Sequence, residues 1–152
     1  MSGAESSGRF AIDLPDSDAA IALAGAGLST LHRLEELTGA SIVLRGLKLE
    51  LSGLSSQIER AAALVELMRP VWGEGQAVSD VDLKAALSSI DTGRKGDYAS
   101  LGDQVLARSQ RGKLLRPRTL RQKAYLDAME SNDLTFSLGP AGTGKTFLAT
   151  VL

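Results

Sequence analysis

A glycine-rich motif near the end of the chain constrains the fold more than any other feature. It has the form Gly-x-x-x-x-Gly-Lys-Thr, follows the apolar stretch Leu134–Leu138 and precedes residues that favour a helix. Glycines permit a sharp turn from strand to helix and leave backbone N–H groups open to an anion, and the helix start adds further unpaired N–H groups. The motif residues are Gly139, Pro140, Ala141, Gly142, Thr143, Gly144, Lys145 and Thr146, and we call Gly139–Thr146 the phosphate loop.

The residue types of the phosphate loop predict a specific chemistry. Lys145 would place a positive charge on the β and γ phosphates of a nucleoside triphosphate, and the Thr146 hydroxyl would ligate Mg²⁺. The alternative is a glycine-rich turn that binds nothing, because the pattern also occurs by chance. The predicted strand before the loop and the additional glycine at Gly142 favour the phosphate-binding interpretation.

Gln122 lies upstream, on a helix that Pro117 and Thr119 open, and two interpretations of it stay open. Thr119 and Gln122 have the spacing of a capping box, which needs no ligand. Alternatively, the Gln122 amide offers one acceptor and two donors to the edge of an adenine base. Both roles can hold together. Tyr125 is predicted to be helix core rather than a platform for base stacking.

Residues 10–90 carry the periodic patterns of a small α+β module. Alternating apolar residues predict short strands, and apolar residues at helical spacing predict helices between and after them. The order predicts an antiparallel sheet covered by helices. The predicted elements are a strand from Phe10 to Leu14, a helix from Ser29 to a cap at Gly39, two strands around a turn at Gly46, a helix with a Ser56–Glu59 capping box that Pro70 ends, and a helix from Ser79.

Charge is distributed unevenly along the chain. Met1–Gly93 holds 7 Lys and Arg against 13 Asp and Glu, a net −6, whereas Arg94–Lys123 holds 9 against 2, a net +7. The basic stretch also contains Gly96, Gly102 and Gly112, which favours a flexible linker with one short element near Gln104–Ala107. The alternative is a surface that contacts nucleic-acid phosphates.

Composition excludes several other kinds of protein. The chain has no cysteine, which excludes disulfides and Cys-ligated zinc, and its single histidine, His32, argues against a His-based metal site. No long apolar run predicts a membrane span, and residues 1–9 do not have the pattern of a secretory signal. A cytoplasmic location is the simplest expectation.

Several of these features together resemble the PhoH-like family of P-loop ATPases. The resemblance rests on Thr119, Gln122 and Tyr125, on Asp133-Leu134-Thr135-Phe136, and on the phosphate loop with the following Phe147-Leu148-Ala149. It implies ATP and Mg²⁺ as cofactors, Gln122 as an adenine contact, and a KH-like module that binds RNA before the ATPase core. Homo-oligomers are a further expectation.

Two departures from that family pattern stand out. A KH fold clamps nucleic-acid backbone with a Gly-x-x-Gly loop, whereas the nearest candidate here is Gly25-Ala26-Gly27-Leu28, in an acidic region. The family's catalytic carboxylate is expected on a later strand, beyond Leu152, so no catalytic residue is assigned and the chain is interpreted as a truncated copy of a longer ATPase.

The sequence thus predicts three parts: a KH-like α+β module at residues 10–90, a basic flexible linker at 91–116, and the incomplete start of an α/β P-loop ATPase domain at 117–152. The leading functional hypothesis is an ATP-binding segment of a PhoH-like ATPase that acts on or with RNA. The alternative is a nucleic-acid-binding module with a non-functional phosphate loop.

Overall fold

The N-terminal part of the chain is built on a three-stranded antiparallel sheet with the order β1-β3-β2. In the computed structural model, which describes residues 6–151, the strands are β1 (Ser7–Asp13), β2 (Ser41–Arg45) and β3 (Lys48–Leu54). The predicted hairpin is confirmed, because β2 pairs with β3 and Gly46 turns between them at φ 60°. Its register places Ile42 opposite Leu51, so that apolar side chains share one face of the sheet.

Helices cover that apolar face. The second helix packs on β2, and the third packs on β1 and β3. Asp16 caps the first helix by accepting a 2.8 Å hydrogen bond from the Ala19 N–H, and Gly39 ends the second at φ 76°, as predicted. The helices of this part are α1 (Ser17–Ala24), α2 (Ser29–Thr38), α3 (Ser55–Leu67), α4 (Arg69–Trp72) and α5 (Asp80–Asp91).

The core of this unit lies between the sheet and the helices. Leu34 of α2, Leu49 of β3 and Leu64 of α3 are completely buried. Trp72 is also completely buried, and its indole N–H donates a 2.8 Å hydrogen bond to the Val65 carbonyl. The sequence did not single out Trp72, because a short helix carries too few residues to show a period.

One predicted capping box is wrong. Ser56 and Glu59 have the right spacing, but the N-cap of α3 is Leu54, two residues before Ser56, and the helix begins at Ser55. The side chain that reaches back is Gln57, whose Oε1 accepts a 3.0 Å hydrogen bond from the Leu54 N–H. Spacing alone did not identify the cap, because strand β3 runs directly into the helix and fixes its first residue.

Residues from Asp91 onward form a second compact unit, distinct from the unit that ends at Ile90. The stretch predicted as a linker with one short element carries several short elements here, and Tyr98 and Leu101 in it are buried. The elements are α6 (Lys95–Ala99), a 3₁₀ turn at Ser100–Asp103, the paired strands β4 (Ala107–Arg108) and β5 (Leu114–Leu115), α7 (Leu120–Ser131) and α8 (Lys145–Val151).

A tight basic turn joins β4 to β5. The Ser109 N–H donates to the Lys113 carbonyl at 2.8 Å, and the Arg108 guanidinium donates to the Gly112 carbonyl at 3.3 Å. Gly112 turns the chain at φ 77°. Glycines among charges were interpreted as linker, but here one of them supplies the left-handed residue that a hairpin turn needs.

Candidate phosphate-binding site

Helix α7 begins where the sequence predicted, with Thr119 as its N-cap. The Thr119 hydroxyl accepts a 3.1 Å hydrogen bond from the Gln122 N–H, which satisfies one of the free donors of the first turn. The reciprocal half of the expected capping box differs, because the Gln122 side chain accepts from the Arg118 N–H at 2.7 Å rather than from that of Thr119. Leu126 is completely buried, and Tyr125 is half-buried on the same helix.

The segment between α7 and the phosphate loop corrects a prediction. Leu134–Leu138 was expected to be a strand, but it pairs with no strand among the described residues and is irregular. A strand exists only through hydrogen bonds to a neighbouring strand, and residues 6–151 offer no such neighbour to this segment. Side-chain exposure nevertheless alternates along the segment as it does in a strand. Leu134, Phe136 and Leu138 are 72%, 84% and 96% exposed, whereas Thr135 and Ser137 are half-buried.

Lys145 folds back across the phosphate loop. Its ammonium group donates to the Gly139 carbonyl at 3.0 Å, the Pro140 carbonyl at 2.7 Å and the Thr143 hydroxyl at 3.1 Å. The Thr143 hydroxyl in turn donates to the Pro140 carbonyl at 3.1 Å. The loop is therefore closed around its own lysine, and the one cation of the motif lies at its centre.

The loop glycines are not equivalent. Gly142 and Gly144 have φ angles of 77° and 84°, a region that residues with a Cβ adopt only at a cost. Gly139 has no such angle, and a Cβ added there would meet nothing closer than the Lys145 Nζ at 3.9 Å. A Cβ at Gly142 would meet no atom within 4 Å, so this glycine is needed for backbone direction rather than for space.

Gln122 of α7 also contacts the phosphate loop. Its Nε2 donates to the Thr143 carbonyl at 3.3 Å, across 21 residues of sequence. The structure therefore joins three predicted site residues, since Thr143 contacts Lys145 through its hydroxyl and Gln122 through its carbonyl. Thr146 and Ala141 are exposed and have no role in these contacts, so Thr146 as a Mg²⁺ ligand stays a prediction.

The chain is similar to PhoH-like proteins over nearly its whole length. The family model described as PhoH-like protein matches residues 114–152. A PhoH-like protein of Synechocystis sp. is 42% identical over 141 residues, which is 93% of this chain and 43% of that protein. A PhoH-like protein of Mycobacterium tuberculosis is 33% identical over 93% of this chain and 40% of its own length, and one of Bacillus subtilis is 31% identical over 91% of this chain and 43% of its own length. The chain belongs to the PhoH-like family.

This PhoH-like chain spans less than half the length of the relatives it matches. No solved structure gave a significant match. No helix within residues 6–151 is long and apolar enough to cross a membrane. Over the same residues, the His, Asp and Glu side chains form no group of three or more that could hold a metal ion.

The loop between α1 and α2 of this PhoH-like chain holds the Gly25-Ala26-Gly27-Leu28 stretch that was compared with the Gly-x-x-Gly loop of a KH fold. Gly25, Gly27 and Leu28 have φ angles of 73°, 59° and 63°, and Leu28 is the one non-glycine residue with a positive φ in the described part of the chain. Such a backbone costs a leucine about 1–2 kcal/mol. Leu28 is 48% exposed, so burial of its side chain offsets little of that cost.

Sequence reasoning missed the contact of Gln122 with Thr143. Both residues were named as site candidates, but for an adenine base and for phosphate. A contact between residues 21 positions apart leaves no periodic signal in one sequence. An alignment with co-variation between the two positions would be the signal that could find it.

Proposed function

We propose that this chain binds the phosphates of ATP in the phosphate loop, as part of a PhoH-like P-loop ATPase. The observation that most supports this proposal is the position of Lys145. Its ammonium group lies among the oxygens of Gly139, Pro140 and Thr143. Phosphate oxygens carry full charge and accept stronger hydrogen bonds from a cation than carbonyl oxygens do. An ATP polyphosphate can therefore exchange for these internal partners.

The donor set of the loop fits a magnesium-bound triphosphate. Lys145 supplies a positive charge, the hydroxyl of Thr146 would supply a Mg²⁺ ligand, and Gly142 and Gly144 hold the left-handed backbone that the loop needs. Gly139, Pro140, Ala141 and Thr143 complete the loop that would follow the phosphates. ATP brings the phosphoryl group and Mg²⁺ neutralises its charge, while the chain positions both.

Binding by these residues alone is expected to be weak. The segment before the loop, Leu134–Leu138, lacks the paired strand that would hold the loop open, and Leu138 beside the loop is 96% exposed. The loop N–H groups must then be ordered as the ligand binds, and that ordering opposes affinity. ATP hydrolysis is a proposal for the longer protein only.

The test is a titration of the ¹⁵N-labelled chain with Mg·ATP, followed by NMR. We expect shifts centred on Gly139–Thr146 and saturation above the micromolar range. The Lys145→Ala chain is the matched control, and it should show no saturable shift in the loop. Equal shifts in both chains would mean that the motif does not hold the phosphates.

The corresponding test of catalysis uses a PhoH-like protein of the relatives' full length. Replacement of the loop lysine by alanine should abolish phosphate release, and replacement of the following threonine should weaken Mg²⁺-dependent binding, because positioning and charge neutralisation are what phosphoryl transfer needs. Turnover by the 152-residue chain itself that depends on Lys145 would contradict this division of roles.

We further propose that the first unit is a KH-like module that associates with RNA in the cytoplasm. Its element order is strand, two helices, two strands and a helix, and the Gly25–Leu28 loop joins the two helices. The left-handed backbone at Leu28 supports this, since it keeps the path of a glycine at the last position of the Gly-x-x-Gly pattern. The negative charge of this part of the chain opposes contact with phosphates.

The second candidate function is nucleic-acid binding without a working phosphate loop. The basic turn between β4 and β5 favours it, because Arg108, Arg111 and Lys113 are all exposed on one short hairpin. Filter binding of RNA at two salt concentrations separates the cases. Contact with phosphates must weaken steeply with salt, and Arg111→Ala should reduce that slope. RNA binding that is unchanged in Lys145→Ala, with no ATP response, would favour this second function.

A further inference from the structure

The Gln122 side chain connects two separate backbone segments of the second unit. Its Oε1 accepts a 2.7 Å hydrogen bond from the Arg118 N–H, just before α7, and its Nε2 donates a 3.3 Å hydrogen bond to the Thr143 carbonyl in the phosphate loop. The backbone N–H of Gln122 is held separately by the Thr119 hydroxyl at 3.1 Å. Helix capping by Thr119 and bridging by the Gln122 amide are thus two distinct sets of bonds.

The bridge acts on the peptide that joins Thr143 to Gly144. A trans peptide is planar, so the Gly144 N–H points away from the Thr143 carbonyl that Gln122 holds. Fixing the carbonyl therefore fixes the direction of that N–H. Gly144 itself has a φ of 84°, which a residue with a Cβ adopts only at a cost, whereas a Cβ there would lie 3.4 Å from the Gln122 Nε2, an ordinary contact distance.

A Thr143 carbonyl that could rotate freely would weaken the binding of an anion. If the Thr143 peptide rotated, its oxygen rather than the Gly144 N–H would face a phosphate, and two acceptors would then repel each other. Lys145 does not prevent this rotation, because its contact with Thr143 is to the hydroxyl and not to the carbonyl. Gln122 is therefore the side chain that restrains this peptide.

We propose that Gln122 is a positioning residue that orients the Thr143–Gly144 peptide for phosphate binding. The inference deepens the proposed phosphate site and rests on it. It differs from reading adenine, because the bridge would strengthen binding of any polyphosphate, with or without a base. It differs from capping, because it depends on the donor end of the amide and not on the acceptor end.

Three substitutions separate these roles. Gln122→Glu keeps an acceptor for the Arg118 N–H but has no donor for the Thr143 carbonyl, whereas Gln122→Ala loses both bonds. Thr119→Ala removes the helix cap and leaves both amide bonds in place. The 152-residue chain is used throughout. Amide hydrogen exchange is measured without ligand, and binding is measured with inorganic tripolyphosphate, which has no base.

We expect Gln122→Glu and Gln122→Ala both to exchange their loop amides about fivefold faster, the effect of losing one ordinary hydrogen bond of about 1 kcal/mol. Both should bind tripolyphosphate more weakly by a similar factor. Exchange in α7 should stay unchanged in Gln122→Glu. Thr119→Ala should accelerate exchange in the first turn of α7 and leave the loop amides as they were.

The inference is overturned if Gln122→Glu matches the unmodified chain in loop exchange, since the Gln122 side chain would then act only through its acceptor bond to the Arg118 N–H. It is also overturned if tripolyphosphate binding is the same in all three Gln122 forms, which would leave only a contact with the base. Failure of the phosphate site itself looks different. In that case the unmodified chain and Lys145→Ala would bind tripolyphosphate equally, while the loop exchange rates would still report on the bridge.

Discussion

Leu34 on α2 offers a quantitative test of how the first unit is held together. Its side chain is completely buried, and α2 packs against α1, α3 and β2. Leu34→Ala removes three carbons at about 0.8 kcal/mol each, or about 2.4 kcal/mol of transfer free energy. The cavity that remains in a close-packed surrounding raises the loss to about 3–4 kcal/mol. For a unit of this size, the melting temperature should fall by about 12–30 °C.

Trp72 provides the assay, because it is the only tryptophan of the chain and is completely buried in the same unit. Urea unfolding followed by its fluorescence gives the free energy of unfolding of that unit. Ile21→Ala is the control, since Ile21 is 69% exposed in the same unit and its loss should stay below about 1 kcal/mol. Similar losses in both variants, or a Leu34→Ala loss below about 1.5 kcal/mol, would refute the assignment of Leu34 to the core.

Three further predictions concern the rest of the chain. Limited trypsin digestion should cut first within residues 94–113, whose basic turn is exposed, and early cuts in the first unit would show a misplaced boundary. Gly142→Ala should accelerate amide exchange in the phosphate loop because it forces a Cβ into φ 77°, at about 1–2 kcal/mol, whereas Gly139→Ala should not. The hydrogen bond from Lys84, followed by that from Arg33, lowers the pKa of Asp80. The stability that ionised Asp80 contributes to the folded state is therefore present above the unfolded-state pKa and is lost as pH falls through the lower folded-state pKa. Asp80→Asn should therefore flatten the acid side of a stability-against-pH curve, and an unchanged curve would count against the ion pair.

Local patterns predicted the elements that local forces decide. The cap at Gly39, the hairpin turn at Gly46 and the N-cap at Thr119 were all visible in the sequence, because each depends on residues within a few positions of one another. The same holds for the phosphate loop as a motif. Its residues are contiguous, so their order alone predicts a turn into α8.

The errors fall where structure depends on distant partners. Leu134–Leu138 has the pattern of a strand but lacks a neighbour to pair with among the described residues. The β4–β5 hairpin is too short to show alternation, so its glycine, Gly112, was interpreted as part of a linker. The hydrogen bond from the Gln122 Nε2 to the Thr143 carbonyl spans 21 residues of sequence. It uses the donor end of the amide, whereas the predicted capping box uses the acceptor end. In each case the deciding contact lies outside the window in which a sequence pattern is recognised.

The exposed side chains of Leu134, Phe136 and Leu138 have a consequence for handling the chain in concentrated solution. This five-residue stretch has no charge and no proline, and its backbone hydrogen-bonding groups are free of any strand partner among the described residues. A net charge of −1 gives little mutual repulsion between molecules near neutral pH. We therefore expect self-association through this stretch to limit the solubility of the chain. Phe136→Lys should raise the protein concentration at which aggregates first scatter light.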